Sequence, residues 1–201
     1  MTTFLLVRHA SCDPVGRALA GRAPGVALNA AGREEVARLA GRLAATRAHA
    51  LYSSPVQRAL ETATPLAAVW RVPVRECAAL TEIDFGRWTG CTLDALAPEP
   101  EWQRFNSFRS GTRAPRGELM LEAQARAVAG VLRLRDEHPD EVVALVSHAD
   151  VLKSVVGYFV GVPVDLCHRL ELAPASVSVL EVTAHGTRLL ALNGGGTPAA
   201  G

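Results

Sequence analysis

Five ionisable side chains are spaced along this chain as phosphoryl transfer would require. Arg8 and His9 follow the apolar run Phe4-Leu5-Leu6-Val7, and His148 follows Val142-Val143-Ala144-Leu145-Val146 across Ser147. Arg58 comes after Ala50-Leu51-Tyr52, beyond Ser53-Ser54-Pro55, and Glu82 lies a short way past Val72-Pro73-Val74. Two guanidinium groups can hold a phosphate dianion through forked, charge-assisted hydrogen bonds and offset its repulsion of a nucleophile. A neutral imidazole is nucleophilic near physiological pH, and an adjacent Arg disfavours its protonation. A second imidazole can donate to the phosphoryl oxygens during transfer. A carboxyl group can protonate a leaving alkoxide and then assist water, and Glu82 is the candidate, with Asp84 and Glu76 as nearby acids of the same type. The backbone N–H of Ala149, opening a helix after His148, suits the same anion.

These side chains converge only if the elements before them share one sheet. Unbroken apolar runs suit strands covered on both faces, as in a parallel sheet. Near the C-terminus, Ser176 to Val182 alternates, and Thr187 to Leu192 follows across His185-Gly186, which reads as a hairpin at one edge. Helical patterns lie between the runs. Asn29 caps a helix to about Ala45, with Glu34 and Arg38 as an i,i+4 pair. Ser54-Pro55 is a cap and first-turn pair opening a helix to about Trp70. Glu118 to His138 and Asp150 to Val160 complete the set, the last stopped at Gly161. Alternating strands and helices predict a single-domain α/β fold over residues 1–193, three layers α/β/α, with a mostly parallel doubly wound sheet and an antiparallel edge. Ligands of such sheets sit beyond the C-terminal strand ends, where the five side chains fall. The stretch from about 92 to 117, holding Pro98, Pro100, Gly111 and Pro115, reads as an inserted mobile flap whose Arg104, Arg109 and Arg113 reach acidic groups on a substrate. Residues 194–201 read as a frayed tail.

Composition narrows the partners. The 201 residues fit one ordinary domain. A net charge of +1 gives no electrostatic reason to expect nucleic acid or an anionic membrane. Lys153 is the single lysine, and no Gly-x-x-x-x-Gly-Lys-Ser/Thr loop for nucleotide phosphates occurs. Cys12, Cys77, Cys91 and Cys167 are widely spaced, as expected of free thiols in a reducing cytoplasm. The apolar N-terminal run is too short for a signal segment or a membrane span, so a cytoplasmic protein is expected. Two histidines and two arginines in one pocket repel a cation, so neither a metal nor another cofactor is expected. His49, His138, His168 and His185 read as surface or loop residues without companions, and Trp70, Trp88 and Trp102 as packing residues, with contact to substrate an alternative for Trp102 in the flap.

The blocks Leu5-Leu6-Val7-Arg8-His9, Leu28 to Arg33, Ser53 to Ala63, Glu82 to Gly90 and Ser147 to Val151, in this order, resemble the histidine phosphatase superfamily, the phosphoglycerate mutase-like group, in its small phosphatase branch. The resemblance spans nearly the whole chain, to Leu192-Asn193. It implies a nucleophile at His9, phosphate ligands at Arg8, Arg58 and His148, and an acid/base at Glu82. The family's Arg-His-Gly-Glu-Thr is Arg8-His9-Ala10-Ser11-Cys12 here, and an Asn that normally helps to bind phosphate is replaced by Val15. That contact is either missing here or supplied by Ser11 or another group. Ala149 replaces a common Gly while keeping its N–H. The expected function is hydrolysis of a small organic phosphate monoester through a phosphohistidine. The alternatives are a phosphoglycerate-type mutase and a non-enzymatic phospho-ligand-binding module on the same fold. Sugar phosphates, phosphoglycerates, nucleotide fragments and cobalamin-pathway intermediates all remain candidate substrates, and the oligomeric state stays open.

Overall fold

The computed structural model describes residues 1–194. Strands β1 (Thr2–Arg8), β2 (Ala50–Ser53), β3 (Val74–Glu76), β4 (Val142–Ser147), β5 (Val177–Val182) and β6 (Thr187–Gly194) form one sheet. Their spatial order is β3-β2-β4-β1-β5-β6. Pairing is parallel from β3 through β1, while β5 runs antiparallel to both β1 and β6. The sheet is therefore mostly parallel with an antiparallel edge, as the alternating C-terminal pattern predicts.

Two cores, one on each sheet face, follow from the two-residue side-chain alternation of strands. Leu5, Val7, Leu51, Ala144 and Val146 pack against Val36, Leu39 and Leu43 of α1 (Ala30–Leu43) and Ala59, Ala63 and Leu66 of α2 (Gln57–Trp70). On the opposite face, Phe4, Leu6, Tyr52, Val143 and Leu145 meet α5 (Met120–Glu137) and α6 (Ala149–Val160), through Met120, Ala127, Val131, Val151 and Val155. Both faces of the central strands are thus dry, which is why they read as continuous apolar runs. Asn29 caps α1 as expected, its side-chain oxygen accepting from the Gly32 N–H at 2.9 Å. A Cβ at Gly32 would stand 2.0 Å from the Ser11 carbonyl, so only glycine lets α1 approach the loop after His9.

Register then places the chemistry. Arg8 pairs with Ser147 and Ser53 with Val146, so the ends of β2, β4 and β1 lie side by side. His9, His148 and Ser54 leave adjacent strands at one edge of the sheet.

Four expectations are corrected. Helix α2 begins at Gln57 rather than at Ser54-Pro55: the Ser54 hydroxyl meets His148 (2.8 Å) and accepts from the Val56 N–H (3.3 Å), and caps no N–H within the helix. The stretch 92–117 is not irregular throughout. It contains α3 (Leu93–Leu96) and α4 (Pro100–Ser107), with Pro100 in the first turn of α4 where proline needs no N–H partner. This segment is anchored by fully buried Phe105, which stacks with Trp102 and meets Trp88 edge-on. His49 and His138 lie in loops as expected but are not without companions: His49 Nδ1 accepts from the Val142 N–H at 3.0 Å, and His138 bonds Glu141 and the Tyr52 hydroxyl. Finally, Gly194 ends β6, while the rest of the expected tail, 195–201, lies outside the described residues.

Candidate active site

His9 sits just past β1, where it is 4% exposed. Its Nδ1 lies 2.8 Å from the Ala10 carbonyl, which can only accept, so Nδ1 carries the proton and Nε2 the lone pair. Arg58 Nε donates to that Nε2 at 3.2 Å. Burial, assisted by the Arg58 charge, pushes the imidazole pKa down to about 3, so His9 stays neutral and nucleophilic.

Arg58, 1% exposed in the first turn of α2, is the hub. Its Nη2 donates to the Gly21 carbonyl at 2.8 Å and to His148 Nδ1 at 3.1 Å. A guanidinium has no acceptor, so His148 presents its lone pair at Nδ1 and donates from Nε2 to Ser54 Oγ at 2.8 Å. The two imidazole rings stand 5.1 Å apart, centre to centre. Burial, then the neighbouring positive charges, holds His148 well below the usual imidazole range.

Glu82 Oε2 lies 3.5 Å from both Arg58 Nη2 and His148 Nδ1. Its backbone is gripped from outside: the Glu82 carbonyl accepts from Arg22 Nε at 2.7 Å and Arg126 Nη2 at 3.2 Å. Burial raises its carboxyl to about 7, against the opposing pull of Arg58. A carboxyl poised there can give up or take a proton at neutral pH. Asp84 instead pairs with Arg22 and the Gly86 N–H, and Glu76 is exposed on β3.

Arg8 donates from Nη1 to the Leu172 carbonyl, while its buried Nε has no hydrogen-bond partner, and neither has Arg58 Nη1. Unpaired buried cationic N–H groups are costly, and two of them on residues lining one cleft fit an anion held between them. That cleft, about 190 Å³, is lined by Arg8, His9, Arg58 and Glu82, with Cys12, Val15, Ala149 and Asp150 beside them. Ala149 opens α6, so its N–H belongs to the helix N-terminal set free to meet an anion.

Ser11 is corrected. Its hydroxyl and N–H both bond the Glu35 carboxylate, at 2.7 and 2.8 Å, and it faces a neighbouring hollow rather than this cleft. Val15 itself lines the cleft, leaving an apolar surface where the family has an amide. The arginines of 92–117 are corrected too. Arg109 is buried and paired with Asp150 at 3.2 Å, Arg113 is held by Glu122, and none of Arg104, Arg109 and Arg113 lines the cleft. Ser54, Gly21 and the Ala10 carbonyl were not foreseen. A serine beside a proline reads as a helix cap, and backbone carbonyls leave no mark in a sequence.

Two buried imidazoles, two guanidiniums and a carboxyl thus gather at the C-terminal strand ends of a mostly parallel sheet in an α/β protein. The chain belongs to the histidine phosphatase superfamily (branch 1), whose family model matches residues 4–194. It is 32% identical over 189 residues to a bifunctional protein of Mycobacterium tuberculosis, covering 92% of this chain and 51% of that one, so it spans about half the length of that relative. It is 27% identical over 202 residues to phosphoserine phosphatase 1 of Hydrogenobacter thermophilus, covering 96% of this chain and 92% of that one. Among solved structures, YhfR of Bacillus stearothermophilus superposes with a TM-score of 0.89 at 30% identity, covering 96% of this chain and 97% of that one. A mycobacterial glucosyl-3-phosphoglycerate phosphatase, in its complex with VO3, superposes at 0.84 with 26% identity over 95% of this chain and 98% of that one. No described helix is long and apolar enough to cross a membrane.

Keeping His9 neutral has a consequence for stability. Its folded pKa, about 3, lies below the ordinary 6.5, so the stability it contributes is present above pH 6.5 and is lost as pH falls toward 3. The loss is about 1.4 kcal/mol per pH unit in that window. Glu82, raised from 4.5 to about 7, works in the opposite sense, losing its contribution as pH rises through 7. Comparing wild type with His9→Ala isolates the histidine: the melting temperature of the variant should gain on wild type between pH 7 and pH 5. Parallel melting curves over that range would contradict the buried neutral imidazole.

Proposed function

We propose that this chain is a phosphomonoesterase acting through a phosphohistidine on Nε2 of His9. The observation that carries the reading is the His9 Nε2 lone pair, fixed by the Ala10 carbonyl, beside the unpartnered Arg8 Nε and Arg58 Nη1. These two groups hold the phosphoryl oxygens. Nε2 attacks phosphorus, the bond from phosphorus to the ester oxygen breaks, and protonated Glu82 gives its proton to the departing alkoxide. The Glu82 carboxylate then takes a proton from water as the water oxygen attacks phosphorus. The P–N bond breaks, returning the electron pair to Nε2 and releasing phosphate.

His148 participates through its tautomer. A phosphoryl group drawing Arg58 Nη2 toward itself frees His148 Nδ1. The Ser54 hydroxyl can donate as well as accept, so it supports the tautomer in which Nδ1–H points to a phosphoryl oxygen. The Ala149 N–H adds a helix-terminal donor. Val15, Leu19 and Leu93, which line the cleft, are only half-buried, a route for the water of the second step, so hydrolysis is expected to dominate over phosphoryl return. No step calls for a metal or another cofactor.

Phosphoenzyme trapping tests the reading. Wild-type protein mixed with a labelled monoester and quenched at high pH should carry acid-labile label on a histidine peptide spanning residue 9. Label on serine or cysteine would assign the wrong nucleophile.

A further inference from the structure

We infer that the cleft selects small phosphate esters with an uncharged, apolar alcohol half and rejects those bearing a second anion. The inference rests on the phosphatase reading above. The charged side chains lining the cleft are Arg8, Arg58, Glu82 and Asp150, and Val15, Leu19, Phe85 and Leu93 give it an apolar wall.

The wall is built in advance. Leu19 N–H donates to the Cys91 carbonyl at 2.9 Å, Gly90 N–H to the Leu19 carbonyl at 2.8 Å, and Leu93 N–H to the Arg17 carbonyl at 2.9 Å. The same loop is tied to the phosphoryl site by the bond from Arg58 to the Gly21 carbonyl. An ester placed with its phosphoryl group on Arg58 therefore meets apolar surface without the loop reorganising, which favours binding.

A second anion finds no partner there. Among the described residues lining the cleft, Arg8 and Arg58 are the cations, and both are engaged with the phosphoryl oxygens in the proposed mechanism. Arg109, whose Nη1 stands 3.2 Å from Asp150 and whose buried Nε has no hydrogen-bond partner, does not line the cleft, so what the cleft shows a substrate carboxylate is Asp150 and a hydrocarbon wall. Losing hydration without a compensating hydrogen bond is unfavourable for a carboxylate and favourable for methylenes. Size adds a limit: about 190 Å³ is below the roughly 300–1,000 Å³ of ordinary ligand pockets, so an alcohol of a few carbons fills it.

The test is kcat/KM for methyl, ethyl, n-propyl and n-butyl phosphates beside 3-phosphoglycerate and phosphoserine, with p-nitrophenyl phosphate as a general reporter. Each added methylene should raise kcat/KM by about fourfold. The two carboxylate-bearing esters should fall at least about tenfold below n-propyl phosphate, the lower end of what one pocket contact discriminates. Leu93→Arg should reverse that preference, and Leu19→Thr should flatten the alkyl series. Carboxylate esters matching or exceeding n-propyl phosphate in an enzyme that turns over p-nitrophenyl phosphate would overturn the inference and leave the phosphatase reading standing. No phosphate release from any ester, p-nitrophenyl phosphate included, would overturn both.

Discussion

Replacing His9 by alanine is expected to lower phosphate release by on the order of 10⁴–10⁶-fold, the range seen when a covalent nucleophile is removed from a site whose other groups remain. What stays behind, Arg8, Arg58 and Glu82, still binds the ester and still offers an acid. Substrate affinity should therefore survive while turnover does not. The unpaired donors on Arg8 and Arg58 do not depend on His9, so phosphate or vanadate should still protect the variant against thermal unfolding. The variant should fold, because His9 contributes two hydrogen bonds to the site and no side chain to either core cluster. Phosphate release and thermal shift measured on the same preparation decide the point. Turnover within tenfold of wild type would place the nucleophile elsewhere, whereas a folded, ligand-responsive, inactive variant is the expected result.

The frame of this molecule was legible because its central strands are buried on both faces. Phe4 to Val7 and Val142 to Val146 admit no polar residue, and each runs into a histidine at the strand end where ligands gather. Asn29 and Gly161 punctuate helices by local chemistry, a side-chain cap and a left-handed C-cap with φ of 77°, and local chemistry is what a sequence displays best. Tertiary demands hid the rest. Ser54-Pro55 has the form of a helix opening, but the Ser54 hydroxyl meets Nε2 of His148, just past the neighbouring strand, and reaches only the Val56 N–H along its own chain, so the helix starts later. Ser11 has the right type and neighbourhood for a phosphate ligand, yet Glu35, in the second turn of α1, captures both its polar groups. Arg109 resembles a free surface cation in an Arg-rich chain, and only the packing of its segment against α6 brings it to Asp150. Proline and glycine in 92–117 suggested irregularity, whereas Pro100 sits where helices accept proline and the aromatic trio of Trp88, Trp102 and Phe105 supplies the anchor.

Glu82→Gln is expected to slow hydrolysis of alkyl phosphates by roughly 10²–10⁴-fold while affecting p-nitrophenyl phosphate far less, since a phenolate leaves without a proton and an alkoxide does not. The amide keeps the shape of the side chain and its acceptor for the Ile83 N–H (2.9 Å), so the site should stay assembled. The pH dependence sharpens the expectation. With its carboxyl raised to about 7 by burial, half of the Glu82 population is protonated at neutral pH, whereas an ordinary glutamic acid near 4.5 would be protonated in roughly one molecule in three hundred. Activity on alkyl esters should therefore be sustained up to about pH 7 and fall tenfold per unit above it, as the acid loses its proton. Below about pH 6, protonation of the phosphate dianion limits the rate, because His9, held near 3, remains a free nucleophile throughout this range. In Glu82→Gln the alkaline limb should vanish together with most of the alkyl-ester rate. Equal losses on both esters with the limb intact would make Glu82 a positioning residue for Arg58 and His148, to which it stands at 3.5 Å, and would send the search for the acid to another group of the cleft.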